Sequence, residues 1–313
     1  MKKKYIIGTR TSNLALWQAN FIKDELSQKF PEFTFELHHI KTKGDKILDV
    51  ALSKIGDKGL FTKELESALL AGDIDIAVHS LKDLQTDIPA GLRLAAVTKR
   101  HSVEDVLIAR KKGNTISNLK EGAVVATGSL RRRSQLARLR PDIRIEELRG
   151  NVPTRINKFK ESDWDAIILA RAGVERLQLQ EEISSIISLD ELLPAVGQGA
   201  LGIEIRGNDN NTFSVISKLD DPDTNTAVTA ERAFLKSLEG GCQVPIGAYC
   251  FKTGNGFILD GFVGSIDGTY TFRKRRRGSG KKPVELGQKL ASDMIEAGAG
   301  EVLAEIYGKR SEI

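Results

Sequence analysis

Little in this chain could staple it, anchor it or mark it as a metalloprotein. Its 313 residues include two cysteines, Cys242 and Cys250, too few for a disulfide framework and without neighbours at metal-ligand spacing. Histidine is equally sparse: four residues, with His38 and His39 adjacent, argue against a zinc centre, so no metal is expected. No apolar run approaches the roughly 20 residues that cross a bilayer, so no membrane partner is expected. Lys2-Lys3-Lys4 looks like the basic start of a secretory leader, but only Tyr5-Ile6-Ile7 follows before Gly8-Thr9-Arg10. That is too short an apolar stretch, and a cytoplasmic protein is expected. Low-complexity segments are absent. Neither G-x-x-x-x-G-K-[ST] nor G-x-G-x-x-G follows a strand-like run, which sets aside two common phosphate-binding loops.

What is present is an ordinary globular composition, 40% hydrophobic and 28% charged, in a chain long enough for two or three domains. The net charge of +5 comes from 47 basic against 42 acidic residues. Its placement therefore matters more than its total, and bulk charge of this size does not establish nucleic-acid binding.

The hydrophobic pattern alternates strand and helix. Tyr5-Ile6-Ile7-Gly8 reads as a buried strand, and Ser12 then caps a helix with Leu14, Trp17, Phe21, Ile22 and Leu26 on its apolar positions. Phe33, Phe35 and Leu37 alternate as a strand, Phe61 to Leu70 reads as a helix ended by Gly72, and Asp75-Ile76-Ala77-Val78 as a further strand. The pattern restarts with a strand at Ala123 to Ala126, a turn at Thr127-Gly128-Ser129 and a helix from Leu130 to Arg140. The Asp165 to Ala170 strand faintly echoes Asp75 to Val78. Two α/β lobes around a cleft are expected. Leu193 to Ala200 reads as a crossover into a strand from Leu201 to Ile205. After Asp220-Asp221-Pro222 a helix runs from Thr226 to Leu238. Short strands near Ala248 to Phe251, Phe257 to Val263 and Thr269 to Phe272 follow, then two helices. This end reads as a small α+β domain.

Basic residues gather where strands feed helices. Arg10 and Ser12 follow the first strand, and Ser129, Arg131 and Arg132 occupy the equivalent point of the second unit. Arg149 and Arg155 bracket a later turn, Arg176 follows another strand, and Lys54, Lys58 and Lys82 belong to the first lobe. Strand ends and helix N-termini of α/β sheets are where anions bind, and guanidinium groups match carboxylates bidentately. Taken singly each residue also reads as a solvated charge; as a dispersed set they suit several separate carboxylates. Asp83 is an acid in a basic strand-end loop, suited to steadying developing positive charge or moving a proton, or else simply to capping a turn. Cys242 follows Gly240-Gly241, whose freedom would admit a bulky group beside the thiol. Cys250, inside a strand, reads as a small buried hydrophobe. Arg273-Lys274-Arg275-Arg276-Arg277 lacks interleaved aromatics and reads as a solvated strand end rather than a nucleic-acid patch. His79 reads as packed rather than catalytic.

Seven segments together resemble one family. They are Thr9-Arg10 with Ser12 and Leu14 to Gln18, Lys58 to Glu66, His79-Ser80-Leu81-Lys82-Asp83, Ser129-Leu130-Arg131-Arg132, Leu148 to Val152, Leu193 to Ala200, and Glu239-Gly240-Gly241-Cys242. In order and over nearly the whole chain they are similar to hydroxymethylbilane synthase, also called porphobilinogen deaminase. The resemblance implies a transferase of tetrapyrrole and heme biosynthesis that joins four porphobilinogen molecules, with release of ammonia, into hydroxymethylbilane. It implies a dipyrromethane cofactor in thioether linkage to Cys242 and a catalytic role for Asp83. Lys82, Ser129, Arg131 and Arg132 then hold the cofactor, and Arg10, Ser12, Arg149, Arg155 and Arg176 hold substrate. Lys54 and Lys58 lie on a mobile loop matching Thr42 to Leu60. The implied fold is two periplasmic-binding-protein-like α/β domains around a cleft plus a small α+β C-terminal domain, divided as 1–99 with 200–218, 100–199 and 219–313. A monomer is implied, with no nucleic-acid partner. The chain departs from the family pattern at Gln85, where Pro is frequent, at Asp57, where Gly is frequent, and in the basic run from Arg273 to Arg277. The competing reading is a two-lobed anion-binding or sensor protein, which has no use for Cys242 or Asp83.

Overall fold

A computed structural model describes residues 3–42, 44, 59–239 and 244–311. Lys54, Asp57, Lys58 and Cys242 lie outside the described residues. The chain opens with β1 (Lys4–Thr9), α1 (Asn13–Lys29), β2 (Thr34–His39), α2 (Lys63–Ala71), β3 (Ile76–Ser80) and β4 (Leu92–Val97). Then come β5 (Asp105–Ala109), β6 (Val124–Ala126), α3 (Leu130–Leu139), β7 (Arg144–Glu146), α4 (Val152–Glu161), β8 (Ala166–Ala170), α5 (Arg171–Arg176) and β9 (Ser185–Ile186). The remainder is β10 (Leu201–Arg206), α6 (Asn210–Ile216), α7 (Pro222–Ser237), β11 (Ile246–Thr253), β12 (Gly256–Gly264), β13 (Thr271–Gly278), α8 (Pro283–Met294) and α9 (Gly300–Ser311). Among the described residues no helix is long and apolar enough to cross a membrane.

Contacts divide the chain into two compact units. The first draws on the described residues up to His101 and on Gly199–Asn225; the second comprises Ser102–Gln198 and the chain from Thr226. The sheet of the first unit runs β2-β1-β3-β10-β4. Strands β1, β2 and β3 are parallel, and β10 lies antiparallel between β3 and β4. Its core is Tyr5, Ile7, Ile22, Leu26, Ile76, Ile203 and Ile205.

The larger sheet of the second unit runs β7-β6-β8-β5-β9, with β6, β7 and β8 parallel and β5 antiparallel between β8 and β9. Strand for strand this repeats the first sheet, and β3 and β8 hold the same place. The echo between Asp75 and Asp165 is therefore topological, and it extends to single hydrogen bonds. The Asp75 carboxylate accepts from the Ile6 amide at 2.9 Å, and the Asp165 carboxylate from the Val124 amide at 2.8 Å. Each acid ties the start of its strand to the parallel neighbour.

The other sheet of the second unit is an antiparallel meander, β11-β12-β13. Phe234 of α7 and Leu286, Leu290 and Met294 of α8 join Leu259 and Val263 in its core. Glu231, fully buried on α7, accepts from the backbone amides of Gly197 and Cys250, both at 2.8 Å. Cys250 is buried, as the sequence reading expects.

Three expectations change. The buried face of α1 is Gln18, Ala19, Ile22 and Leu26. Trp17 and Phe21, placed on the apolar face by spacing, instead stack on each other at 5.4 Å with Phe21 exposed. Strands β4, β5, β7 and β9 are additional to the pattern reading. The basic run is not a strand end: Arg273 to Arg277 lies wholly inside β13. There Arg273 and Arg275 both donate to the buried carboxylate of Asp260, Arg276 pairs with Asp293, and Lys274 donates to the Asp293 carbonyl.

Candidate functional site

In the first unit the parallel strands deliver the predicted side chains. Thr9 ends β1, and Ser12 caps α1 by accepting from the Ala15 amide at 3.4 Å. A cap of this kind contributes about 1 kcal/mol. Arg10, between them, stacks its guanidinium over the Phe61 ring at 4.2 Å. Strand β3 ends at Ser80, and the chain turns at once through one turn of 3-10 helix, Leu81–Asp83. This turn is held from both sides. The Leu81 amide donates to the Ala200 carbonyl at 3.0 Å, and Gln18 Nε2 donates to Ser80 Oγ at 2.7 Å. Lys82 and Asp83 are both half-buried on it. The structure thus brings Lys82 and Asp83 onto one turn at the C-terminal end of a central parallel strand.

In the second unit the repeated topology presents the same features. Ser129 follows β6 and caps α3, accepting from the Arg132 amide at 3.5 Å. Arg131 and Arg132, in the first turn of α3, are only 4% and 5% exposed. Both donate to Asp105, the first residue of β5: Arg131 Nη1 to Oδ2 at 2.8 Å and Arg132 Nη2 to Oδ1 at 2.7 Å. Asp105 has no exposure to solvent. Burial alone would raise its carboxyl, but the charges and hydrogen bonds of the two arginines override that and hold it well below the usual carboxylate range. Burial in turn lowers Arg131 from its ordinary value, with Asp105 opposing. Gln198 also donates to Asp105, at 3.0 Å, and Gln135 Nε2 and Arg131 Nη1 donate to the Leu193 carbonyl at 3.1 and 2.7 Å. The Leu193 to Gln198 segment is thereby fastened onto the arginine pair and its acid.

A further cationic group stands at the start of α4. Asn151 caps that helix through the Thr154 amide at 2.9 Å, and Arg155 Nε donates to the Gly150 carbonyl at 2.6 Å. Gly150 has φ 118°, and a Cβ there would meet Thr154 Cγ2 at 2.7 Å; only glycine fits. Arg149, just before, is half-buried, and its Nη1 is wholly buried without a hydrogen-bond partner among the described residues. Nε of Arg131 and Nε of Arg132 are in the same condition. Arg176, at the end of α5 after β8, is buried, and that burial brings its guanidinium down to about 10.

Asp105 is the functional group that sequence reasoning missed. Its signal was an acid opening the apolar strand Val106-Leu107-Ile108, a place where a charge survives only if paired. The call-outs from sequence at Cys242, Lys54 and Lys58 lie outside the described residues. Glu239, the last described residue before the cysteine segment, takes φ 53° beyond the end of α7. The first unit therefore offers an acid on a held turn, and the second, by itself, guanidinium donors short of hydrogen-bond partners among the described residues. Donors of that kind bind carboxylates.

Comparison with known proteins agrees with this chemistry. Residues 5–214 match the family model described as "Porphobilinogen deaminase, dipyromethane cofactor binding domain", and residues 225–296 match "Porphobilinogen deaminase, C-terminal domain". A porphobilinogen deaminase of Chloroherpeton thalassium is 50% identical over 310 residues, covering 98% of each chain. That of Brevibacillus brevis is 51% identical over 99% of each chain, and that of Carboxydothermus hydrogenoformans is 50% identical over the full length of both. Among solved structures, the methionine binding protein MetQ matches 69% of this chain and 89% of its own, with a TM-score of 0.45 and 12% identity. The aliphatic sulphonate binding protein SsuA of Escherichia coli matches 76% of this chain and 71% of its own, with a TM-score of 0.39 and 15% identity.

Proposed function

The chain belongs to the porphobilinogen deaminase family, and on that premise we propose how its own residues divide the work. The enzyme joins four porphobilinogen molecules head to tail, with loss of ammonia, into the linear tetrapyrrole hydroxymethylbilane. The dipyrromethane group of the family, when joined to Cys242 by a thioether, supplies the pyrrole α-carbon from which the chain is extended. Lys82, Ser129, Arg131 and Arg132 hold the acetate and propionate groups of that cofactor. Arg10, Ser12, Arg149, Arg155 and Arg176 hold those of the incoming substrate, and Lys54 and Lys58 close over it.

Asp83 supplies the charge that the bond-breaking step lacks. The protonated aminomethyl group departs as ammonia, taking the C–N electron pair, and the pyrrole ring is left with positive charge. A fixed carboxylate on a held turn favours that cation over the ground state. The arginines meanwhile neutralise the substrate carboxylates and fix the ring.

The observation that carries this reading is the set of buried guanidinium donors without hydrogen-bond partners among the described residues: Nε of Arg131, Nε of Arg132 and Nη1 of Arg149. Leaving such a donor unmade costs about 1–3 kcal/mol, and an acidic side chain of cofactor or substrate would remove that cost. The donor set therefore fits a polycarboxylate cofactor. The same reading divides the chain as 1–99 with 200–218, 100–199 and 219–313, and makes it a cytoplasmic monomer without nucleic-acid or membrane partners. Light scattering on purified protein tests the monomer.

Intact mass tests the cofactor. Wild-type protein should exceed its sequence mass by two linked pyrrole units, and Cys242→Ser should not. A bare wild-type mass that porphobilinogen fails to raise would overturn the assignment. Asp83→Asn should keep the added mass and lose nearly all turnover; normal turnover would remove Asp83 from its role.

A further inference from the structure

Two buried side chains of the first unit lie outside this scheme, one on the strand that leads into the turn bearing Asp83 and one on its antiparallel neighbour. His79 Nε2 and Glu204 Oε2 are 3.1 Å apart, with side-chain exposures of 3% and 0%. His79 is the penultimate residue of β3, and Glu204 lies on β10, the antiparallel neighbour. The register pairs His79 with Gly202 and Ser80 with Leu201. The Leu81 amide then reaches Ala200, so the ladder continues one residue into the turn that bears Lys82 and Asp83. Leu81 itself lies over the bare backbone of Gly202, where a Cβ would fall 2.8 Å from Leu81 Cδ1.

This is a costly arrangement for a sheet interior. Glu204 Oε1 and Glu66 Oε1 are both buried without a hydrogen-bond partner among the described residues. Burial, then the neighbouring Glu204, raises the Glu66 carboxyl, with Thr62 and His79 opposing. A buried polar pair is seldom more stable than an apolar pair of the same size, but it is directional. It also distinguishes registers, since a slip by one residue turns every side chain to the other face. Stability alone gives no reason for placing such a pair beside a reactive turn.

We propose that His79 and Glu204 are positioning residues of the reaction, fixing β3 against β10 and thereby the direction in which Lys82 and Asp83 are presented. The inference rests on the role of Asp83 given above. A displacement of the reacting groups by about 1 Å can cost on the order of a hundredfold in rate, so loosening the pair acts on kcat. Substrate carboxylates are held elsewhere, so KM stays in place.

The test compares variants that break the contact from either side with one that keeps it. His79→Asn shortens the side chain and withdraws the donor; Glu204→Asp withdraws the acceptor but keeps the charge. His79→Gln places a donor at nearly the position of Nε2. Rates are measured on folded protein, normalised to the cofactor mass each variant carries. His79→Asn and Glu204→Asp should lose about tenfold or more in kcat with KM within twofold, and His79→Gln should recover to within about threefold of wild type. A purely structural pair would lower Tm in the breaking variants and leave kcat of the folded, cofactor-bearing protein unchanged; that result overturns the proposal. If one breaking variant does not fold, the other decides. Asp83→Asn run alongside separates the two claims. Turnover lost in Asp83→Asn but retained in the breaking variants rejects only the positioning pair, whereas turnover retained in Asp83→Asn rejects the premise.

Discussion

Arg131 Nη1 reaches Asp105 Oδ2 at 2.8 Å in an environment from which solvent is almost wholly excluded. Arg132 shares the same carboxylate from its other oxygen. One negative charge thus serves two positive ones, and the cluster keeps a surplus suited to a further anion. Removing the carboxylate leaves both guanidinium groups buried without it, a change that costs about 3–5 kcal/mol when one member of a buried pair is deleted. Asp105→Asn should therefore lower Tm by many degrees at neutral pH.

The same pair gives a sign to the acid response. The folded Asp105 carboxyl titrates below its unfolded value of about 3.9, because the arginines outweigh burial. Its contribution is complete above roughly pH 4 and is lost as pH falls through the folded value. Thermal melts of wild type and Asp105→Asn should converge between neutral pH and about pH 2. Curves that stay parallel would mean the carboxylate is not what the arginines stabilise.

Gly150 offers a test of backbone geometry next to Arg149 and Arg155, the arginines proposed to hold substrate. Alanine there must adopt φ 118° and also push against Thr154 Cγ2 and Cβ at 2.7 and 2.9 Å. Strain of this kind costs about 1–3 kcal/mol before the contact is counted. Gly150→Ala should lower Tm and raise KM, because the carbonyl that holds Arg155 moves with it. Adding Thr154→Ser removes the Cγ2 methyl while keeping the hydroxyl bonded to Asn151. The double variant should regain part of the Tm, and no recovery would place the cost in the backbone alone.

Some of this is legible in the sequence. Ser12 reads as a helix cap and caps α1, because capping is decided within a few residues; Ser129 reads as part of a turn where a strand feeds a helix, and its capping of α3 is added by the structure. Lys82 and Asp83 were placed at a strand end for the same local reason. What could not be read depends on partners distant in the chain. Strand β5 lies between β8 and β9, and nothing in Asp105 to Ala109 announces those neighbours. Without them Asp105 has no visible purpose, and Arg131 and Arg132 look like exposed charges at a helix start. Arg273 to Arg277 failed in the same way. Their acids, Asp260 and Asp293, stand 13 to 17 positions away for the pairs formed, on another strand and on a helix.

That last pairing predicts an order of costs. Asp260 is buried and receives both Arg273 and Arg275. Arg275 is 58% exposed, and an exposed pair contributes at most about 1 kcal/mol. Loss of Tm should therefore rank Asp260→Asn above Arg273→Gln, and Arg273→Gln above Arg275→Gln. Since Arg273, Arg275 and Arg276 are paired with Asp190, Asp260 and Asp293, a labelled DNA duplex at 150 mM salt, about the physiological range, should show no saturable binding. Saturable, salt-sensitive binding lost in Arg275→Gln would reinstate a nucleic-acid surface.

Arg149 is the residue at which stability and function should part company. Its buried Nη1 lacks a partner among the described residues, so in the free protein it is a cost of about 1–3 kcal/mol. Methionine keeps the unbranched apolar stem of the side chain and removes both the charge and the orphaned donor. Arg149→Met should thus hold or raise Tm. In the proposed substrate complex the guanidinium meets a carboxylate, and one charge-assisted hydrogen bond of about 1.5–3 kcal/mol corresponds to roughly ten- to a hundredfold in affinity. KM should rise by that order while the cofactor mass is unchanged. The opposite pattern, a fall in Tm with an unaltered KM, would make Arg149 a structural residue and remove it from the substrate site.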